Sequence, residues 1–410
     1  MDKFYYECID CNSQYERSEV TYLCPVCSQS NSANLPPKGV LKTKYKYDQL
    51  IAGGISFEEL KNNKFLDLLP IDKIESLPNL HIGNTPNYLV DKIDNVALPF
   101  NLFLKDDSQN PTYSFKDRAS ALVSAFAKEN GIDTILTAST GNAGSSLAGI
   151  CAAQGQKAII LVPESAPIAK MTQILMYGAT IVPVKGNYDD AFDLSMKATE
   201  AFGLYNRNTA FNPLTIEGKK TVAFELFEQL NYTIPDRIFV PVGDGVIISG
   251  IYKGFEDLLK LQFIDHIPII VGVQAEKSNN LVRNLESKEF EVENSTTIAD
   301  SISVDIPRNF NMTQKYLKNY NGECLTVSDD EILKASAILA SNTGLFAEPA
   351  AAAAFAGFYA YMRSHKLADN SNNVVMLTGS GLKDLKAVNE IITMPKPIEP
   401  TIENLKKLLA

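Results

Sequence analysis

Lys116 stands where an amine can be made reactive. The segment Asn110-Pro111-Thr112-Tyr113-Ser114-Phe115-Lys116-Asp117-Arg118 reads as a turn running into a helix, with Ser114 as the expected N-cap. A helix N-terminus carries partial positive charge and free N–H groups, and both lower the pKa of a nearby amine. Such a lysine suits carbonyl chemistry, in which the neutral amine forms a Schiff base. A solvated Lys-Asp-Arg cluster on a helix is the other reading these residues allow. Two glycine-bearing loops could hold anions. Ser139-Thr140-Gly141-Asn142 offers hydroxyls and N–H groups at a strand-to-helix junction, although Ser139 or Thr140 alone could be a simple cap. Gly243-Asp244-Gly245-Val246-Ile247 follows an apolar strand and could cradle a phosphate with its backbone N–H groups. A third constellation is metal-like. Cys8 and Cys11, then Cys24 and Cys27, form two C-x2-C pairs with twelve residues between them. Four thiolates so spaced suit zinc in a closed, structural site; a redox pair or chance clustering is the alternative.

These groups need elements to position them. Residues 1–45 are rich in Cys, Ser, Asn and Tyr and look like a separate unit, with too few apolar residues for a core without metal. Beyond residue 101, short apolar runs alternate with amphipathic stretches. Strands are expected at 101–105, 134–138, 157–162, 179–184, 237–242, 267–274 and 373–377. Helices are expected at 114–130, 142–153, 167–177, 188–202, 248–261, 329–342 and 349–364, with a last pair from 382 onward. Strand–helix alternation of this kind implies parallel sheets with helices on both faces.

The stretch Asn110-Pro111-Thr112-Tyr113-Ser114-Phe115-Lys116-Asp117-Arg118 resembles the cofactor-lysine motif of threonine synthases, in the tryptophan-synthase-β-like superfamily of fold type II pyridoxal-phosphate enzymes. Four further motifs follow the family's order. They are Gly83-Asn84-Thr85-Pro86, Ala138-Ser139-Thr140-Gly141-Asn142-Ala143-Gly144, Pro241-Val242-Gly243-Asp244-Gly245 and Leu377-Thr378-Gly379-Ser380-Gly381-Leu382-Lys383-Asp384. The resemblance implies two α/β domains: a large cofactor-binding one (46–130 and 206–410) and a small mobile one (131–205), after the zinc-ribbon-like extension. It implies pyridoxal 5'-phosphate as a Schiff base on Lys116, which then moves protons at Cα and Cβ of the substrate. It implies that Asn142 hydrogen-bonds the cofactor's phenolic oxygen and that Ser139, Thr140 and Gly141 take the substrate carboxylate. Gly243, Asp244, Gly245, Val246 and Ile247 would hold the cofactor phosphate, and Thr378 would face the pyridine nitrogen. A neutral threonine there favours replacement and elimination over transamination. Glu348 resembles the family's Glu-Pro-Ala carboxylate, and some relatives share a cysteine ribbon leading into a Tyr-Asp pair, here Tyr47-Asp48.

The sequence departs from the family at three places. Thr215 occupies the position of an arginine that helps hold the anionic substrate, a loss of roughly 1.5–3 kcal/mol unless another cation compensates. Asp244 replaces the usual asparagine, so its side chain must turn from the phosphate or accept a backbone N–H. Tyr113 replaces a glycine. The implied reaction is conversion of O-phospho-L-homoserine and water to L-threonine and phosphate. Elimination or replacement on serine, threonine or O-phosphoserine is the alternative, and a non-catalytic amino-acid sensor is a third reading.

Composition bounds the rest. The 410 residues carry a net charge of −10, which disfavours nucleic acid and anionic membranes as partners. The longest apolar run, 347–362, is broken by Glu348 and Pro349 and is too short to span a bilayer. No signal peptide is evident at the start, so a cytoplasmic enzyme of small, phosphorylated amino acids is expected, and the family resemblance implies a homodimer.

Overall fold

The computed structural model describes every residue except Met1, Asp2, Ala33, Thr140, Ser165, Pro167, Glu390, Ile391 and Ala410. In chain order the strands are β1 (Phe4–Cys8), β2 (Gln14–Tyr15), β3 (Leu41–Tyr45), β4 (Asn87–Ile93), β5 (Val96–Asp106), β6 (Thr134–Ala138), β7 (Lys157–Pro163), β8 (Thr180–Val184), β9 (Tyr205–Asn206), β10 (Arg237–Pro241), β11 (Ile269–Ala275), β12 (Glu323–Val327) and β13 (Asn372–Leu377). They form three sheets. The largest has the order β12-β11-β10-β13-β5-β4, a second the order β8-β7-β6-β9, and a small one the order β2-β1-β3.

The parallel expectation holds for the four-stranded sheet and for five strands of the larger one. It fails at the edge, where β4 runs antiparallel to β5, and in the small sheet, which is wholly antiparallel. Both exceptions are joined by short hairpins or lie outside the alternating region, so no helix crossover forces them parallel. The central strands are buried on both faces, as β10 and β13 show with Ile238, Phe239, Val240, Val374, Val375 and Met376 all inaccessible.

The N-terminal segment is not free-standing. Phe4, Tyr6 and Cys8 of β1 and Leu41 and Tyr45 of β3 share one core with Phe224, Ile251, Tyr252, Phe255 and Tyr316. Tyr45 also donates to Glu217 at 2.6 Å, and Tyr47 to Asp257 at 2.5 Å. A metal would therefore not be the sole source of order there. Cys151 is buried as expected, whereas Cys324 is only partly so.

Candidate active site

Four strand ends converge on one cleft. The chain after β5 reaches Lys116, that after β6 reaches Ser139–Asn142's loop at 139–142, that after β10 reaches 243–247, and β13 ends at Thr378. Ligands in open α/β sheets lie beyond such carboxyl ends. A cleft of about 890 Å³, its open mouth included, is lined by Lys116, Ser139, Gly141, Asn142, the loop 243–247 and Thr378. Thr140 lies outside the described residues; every other expected cofactor or substrate residue faces this one space.

The lysine is held by its neighbours. The helix Lys116–Glu129 begins one residue beyond Phe115, and Ser114 gives it no side-chain cap of the usual kind. Instead Ser114 Oγ accepts from Lys116 N at 3.3 Å, and Phe115 N donates to Thr378 O at 2.9 Å, tying the lysine loop to β13. Asp117 accepts from Thr112 N at 2.7 Å and from its hydroxyl at 2.5 Å, which fixes the preceding turn. Arg118 pairs with the buried Asp107 at 2.6 Å and with the partly buried Glu225 at 2.6 Å. Lys383 clamps the same turn through Thr112 O at 2.8 Å. Asp117 and Arg118 are thus buried and Lys116 is half-buried at the cleft, so the triplet is not a solvated cluster. Among the described residues none hydrogen-bonds the Lys116 amine. Its pKa is lowered, first by burial and then by Lys170 and Arg207, against the opposing pull of Glu348 and Asp244. A lowered amine pKa is what a Schiff-base lysine requires.

The loop 243–247 has the form of an anion cradle. Gly245 has φ +85°, and a Cβ there would meet the Thr313 hydroxyl at 2.3 Å, so only glycine fits. The helix Val246–Lys260 starts immediately after it. Asp244 resolves the sequence puzzle by accepting Arg308 N–H at 3.1 Å. Burial pushes its carboxyl up to about 6, despite the help of that N–H and of the Arg308 charge. Asn142 donates to Glu348 Oε1 at 2.7 Å and to Ser301 Oγ at 3.1 Å, while its Oδ1 is buried without a partner. Thr378 is buried against the cleft.

The sequence reading missed several residues that also line the cleft: Tyr188, Arg207, Lys219, Asp300 and Ser301. Only Lys219 left a signal, since it lies four residues after Thr215 on one helix face. The expected metal ligands also come together. The Sγ atoms of Cys8, Cys11, Cys24 and Cys27 all lie within 4.8 Å of one another, and Cys11 and Cys24 are 3.8 Å apart. Tetrahedral Zn–S bonds of about 2.3 Å place sulfurs about 3.8 Å apart, so the donor set fits zinc.

A partnerless amine and a glycine cradle at a helix start fit one kind of cofactor. Residues 78–379 match the model of a family described as pyridoxal-phosphate dependent enzyme. The chain belongs to this pyridoxal-phosphate-dependent enzyme family. It is 33% identical to the threonine synthase of Methanocaldococcus jannaschii over 411 residues, 98% of each chain. It is 34% identical to that of Halalkalibacterium halodurans, over 83% of this chain and 94% of the relative. These relatives mark it as a threonine-synthase-like pyridoxal-phosphate enzyme, a lyase. Among solved structures it is similar in fold to the processed form of threonine deaminase isoform 2 from Solanum lycopersicum. That match has a TM-score of 0.67 and 23% identity, over 83% of this chain and 95% of the other.

Proposed function

We propose that this pyridoxal-phosphate enzyme converts O-phospho-L-homoserine and water to L-threonine and phosphate. The observation that carries the reading is the convergence of Lys116, Asn142, the 243–247 loop and Thr378 on one cleft, in a chain matched end to end by threonine synthases. Lys116 would hold the cofactor, Asn142 its ring oxygen, the loop its phosphate, and Thr378 its ring nitrogen. Bound there, the cofactor supplies an electron sink that acidifies the substrate's Cα–H.

The chain's own groups do the rest. Ser139 and Gly141, with Thr140, bind the substrate carboxylate through hydroxyls and N–H groups. Lys116, freed as a neutral amine, would take one proton from Cα and one from Cβ as phosphate leaves Cγ, and return protons to Cγ and to Cα as water adds at Cβ. The segment 131–205, which carries the four-stranded sheet as far as β9, closes over the substrate and excludes water. Lys170 on the helix Ile168–Met176 supports this by reaching Asp300 at 2.6 Å across the cleft. Zinc held by the four cysteines is structural, because four thiolates leave no open position. The free thiols suit the cytoplasm, and the homodimer expected from the family resemblance rests on that resemblance alone.

The test is turnover of O-phosphohomoserine by the reconstituted enzyme. Threonine and phosphate in equal amounts are expected, and Lys116→Ala should abolish both. Turnover retained in that variant would remove Lys116 from its role. Thr215 is fully buried, with its hydroxyl on Asn212 O at 2.8 Å, so it cannot replace the family's arginine. That observation favours a second reading, elimination on serine, threonine or O-phosphoserine. A keto acid plus ammonia as products would establish it.

A further inference from the structure

Two cations in the cleft have no counter-ion. Arg207 and Lys219 are each 1% exposed, both line the cleft, and among the described residues no carboxylate pairs with either. Arg207 spends Nε on Ser120 Oγ at 3.2 Å and leaves Nη2 buried without a partner. Lys219 Nζ reaches only a carbonyl of its own helix, Thr215 O, at 3.3 Å. The neighbouring lysines behave differently. Lys220 lies 2.6 Å from Glu217 and 2.7 Å from Asp257, and Lys253 also pairs with Asp257. Lys220 and Lys253 are thus neutralised, as burial demands, and Lys383, also buried, is held by three neutral oxygens, of Thr112, Ser145 and Gln173. Arg207 and Lys219 have neither arrangement. Burial first, then the charges of Arg207 and Lys116, hold the Lys219 amine well below its usual range. An arriving anion would offset the repulsion among these cations and favour the charged amine.

The cofactor phosphate already has a cradle at 243–247, so the Arg207–Lys219 pair is left for another anion. We propose that Arg207 and Lys219 form a second phosphate site, which holds the phosphoryl group of the substrate and replaces the arginine absent at Thr215. The inference rests on the cofactor reading above and deepens it by naming the substrate class. Position 219 follows 215 by one helical turn on the same face. The longer Lys219 side chain reaches the cleft from that face, while the short Thr215 side chain stays buried on Asn212 O. Arg207, at the end of β9, brings a planar fork suited to phosphate oxygens from the opposite sheet. A phosphorylated substrate would bridge the two sheets and draw them together.

The experiment titrates inorganic phosphate into the cofactor-loaded enzyme by calorimetry. Arg207→Gln and Lys219→Gln should each weaken phosphate binding roughly ten-fold or more, with cofactor content and visible absorption unchanged. Arg207→Lys, which keeps the charge and loses the fork, should fall between. Unchanged phosphate affinity in the variants overturns the proposal. So does loss of the cofactor from both variants, which would assign the pair to the cofactor's own phosphate. Should the glutamine variants not fold, wild-type holoenzyme must bind O-phosphohomoserine at least roughly ten-fold more tightly than homoserine; equal affinity overturns the site. Tight phosphate binding without turnover of O-phosphohomoserine would keep the site and remove only the reaction assigned above.

Discussion

Asp244 places a titratable carboxylate on the loop assigned to the cofactor phosphate. Its pKa, raised by burial to about 6, makes it neutral in mild acid and charged above. A raised carboxyl pKa means the folded state binds the proton more tightly than the unfolded chain. Its contribution to stability is therefore full below about pH 4 and is lost as pH rises through about 6. The same charge opposes a phosphate. Asp244→Asn should therefore bind the cofactor more tightly than wild type at pH 8, by roughly 1–2 kcal/mol, or five- to thirty-fold. The advantage should vanish below about pH 5. Because the phosphate titrates in the same range, the ratio of the two affinities is the quantity to measure by equilibrium dialysis. A ratio independent of pH would mean that Asp244 keeps its bond to Arg308 N–H without sensing the phosphate. Tyr113 is a simpler case. It sits at φ +65° and is exposed, so the glycine expected there from the family has a backbone reason. The sequence departs from that pattern at a conformational cost of about 1–2 kcal/mol.

The elements that carry Lys116 are anchored from beneath. Arg118, one residue past the turn, joins Asp107 to Glu225, and Lys105 of β5 meets Glu225 at 2.8 Å. Gly218 lets the two helices of this assembly touch, since a Cβ there would come within 2.2 Å of Arg118 O. Glu225→Ala would leave two buried cations short of a partner and should destabilise the fold by about 3–5 kcal/mol, read from chemical denaturation. A loss under about 1 kcal/mol would mean that Asp107 alone neutralises Arg118. This network also shows what could and could not be read from the sequence. The helix Tyr188–Phe202 was legible to the residue because Asn187 and Asp190 form a capping box and Gly203 stops it. The strand β12 was not, because Glu323–Val327 is a short edge strand whose side chains are mostly half-exposed, so it lacks the apolar run of a central strand. At the site, the glycine loops and Lys116 were legible from local spacing. Arg207 was not, since only the pairing of β9 with β6 brings it to the cleft. Glu217 and Lys220 look as functional as Lys219 in the sequence, yet they turn inward to Tyr45 and Asp257.

Across the whole molecule, the cysteine segment is connected to the cleft by a path of direct contacts. Tyr22, between the two cysteine pairs, stacks on Phe211 at 4.3 Å and accepts the backbone N–H of Asn206 at 2.8 Å. Asn206 is the residue before Arg207. The metal we assign to Cys8, Cys11, Cys24 and Cys27 would therefore hold the loop that supports the strand delivering Arg207. Removing it should not unfold the chain, because β1 and β3 share their core with the helix Val246–Lys260. It should release the loops around the exposed Cys11 and half-exposed Cys27, and with them Tyr22. The cofactor cradle at 243–247 lies on other elements and should be unaffected. Zinc removal by a chelator, or Cys24→Ser, is thus expected to lower the melting temperature by about 1–2 degrees, as loss of about 1–2 kcal/mol would in a chain of 410 residues. KM for the phosphorylated substrate should rise while cofactor affinity stays constant. Calorimetry with metal analysis tests the first effect, and steady-state kinetics with cofactor titration the second. A melting temperature that falls with KM unchanged would confine the metal to folding and break the path at Tyr22. A loss of cofactor affinity at the same metal content would show that the segment acts on the 243–247 loop instead, through Arg308 or its neighbours.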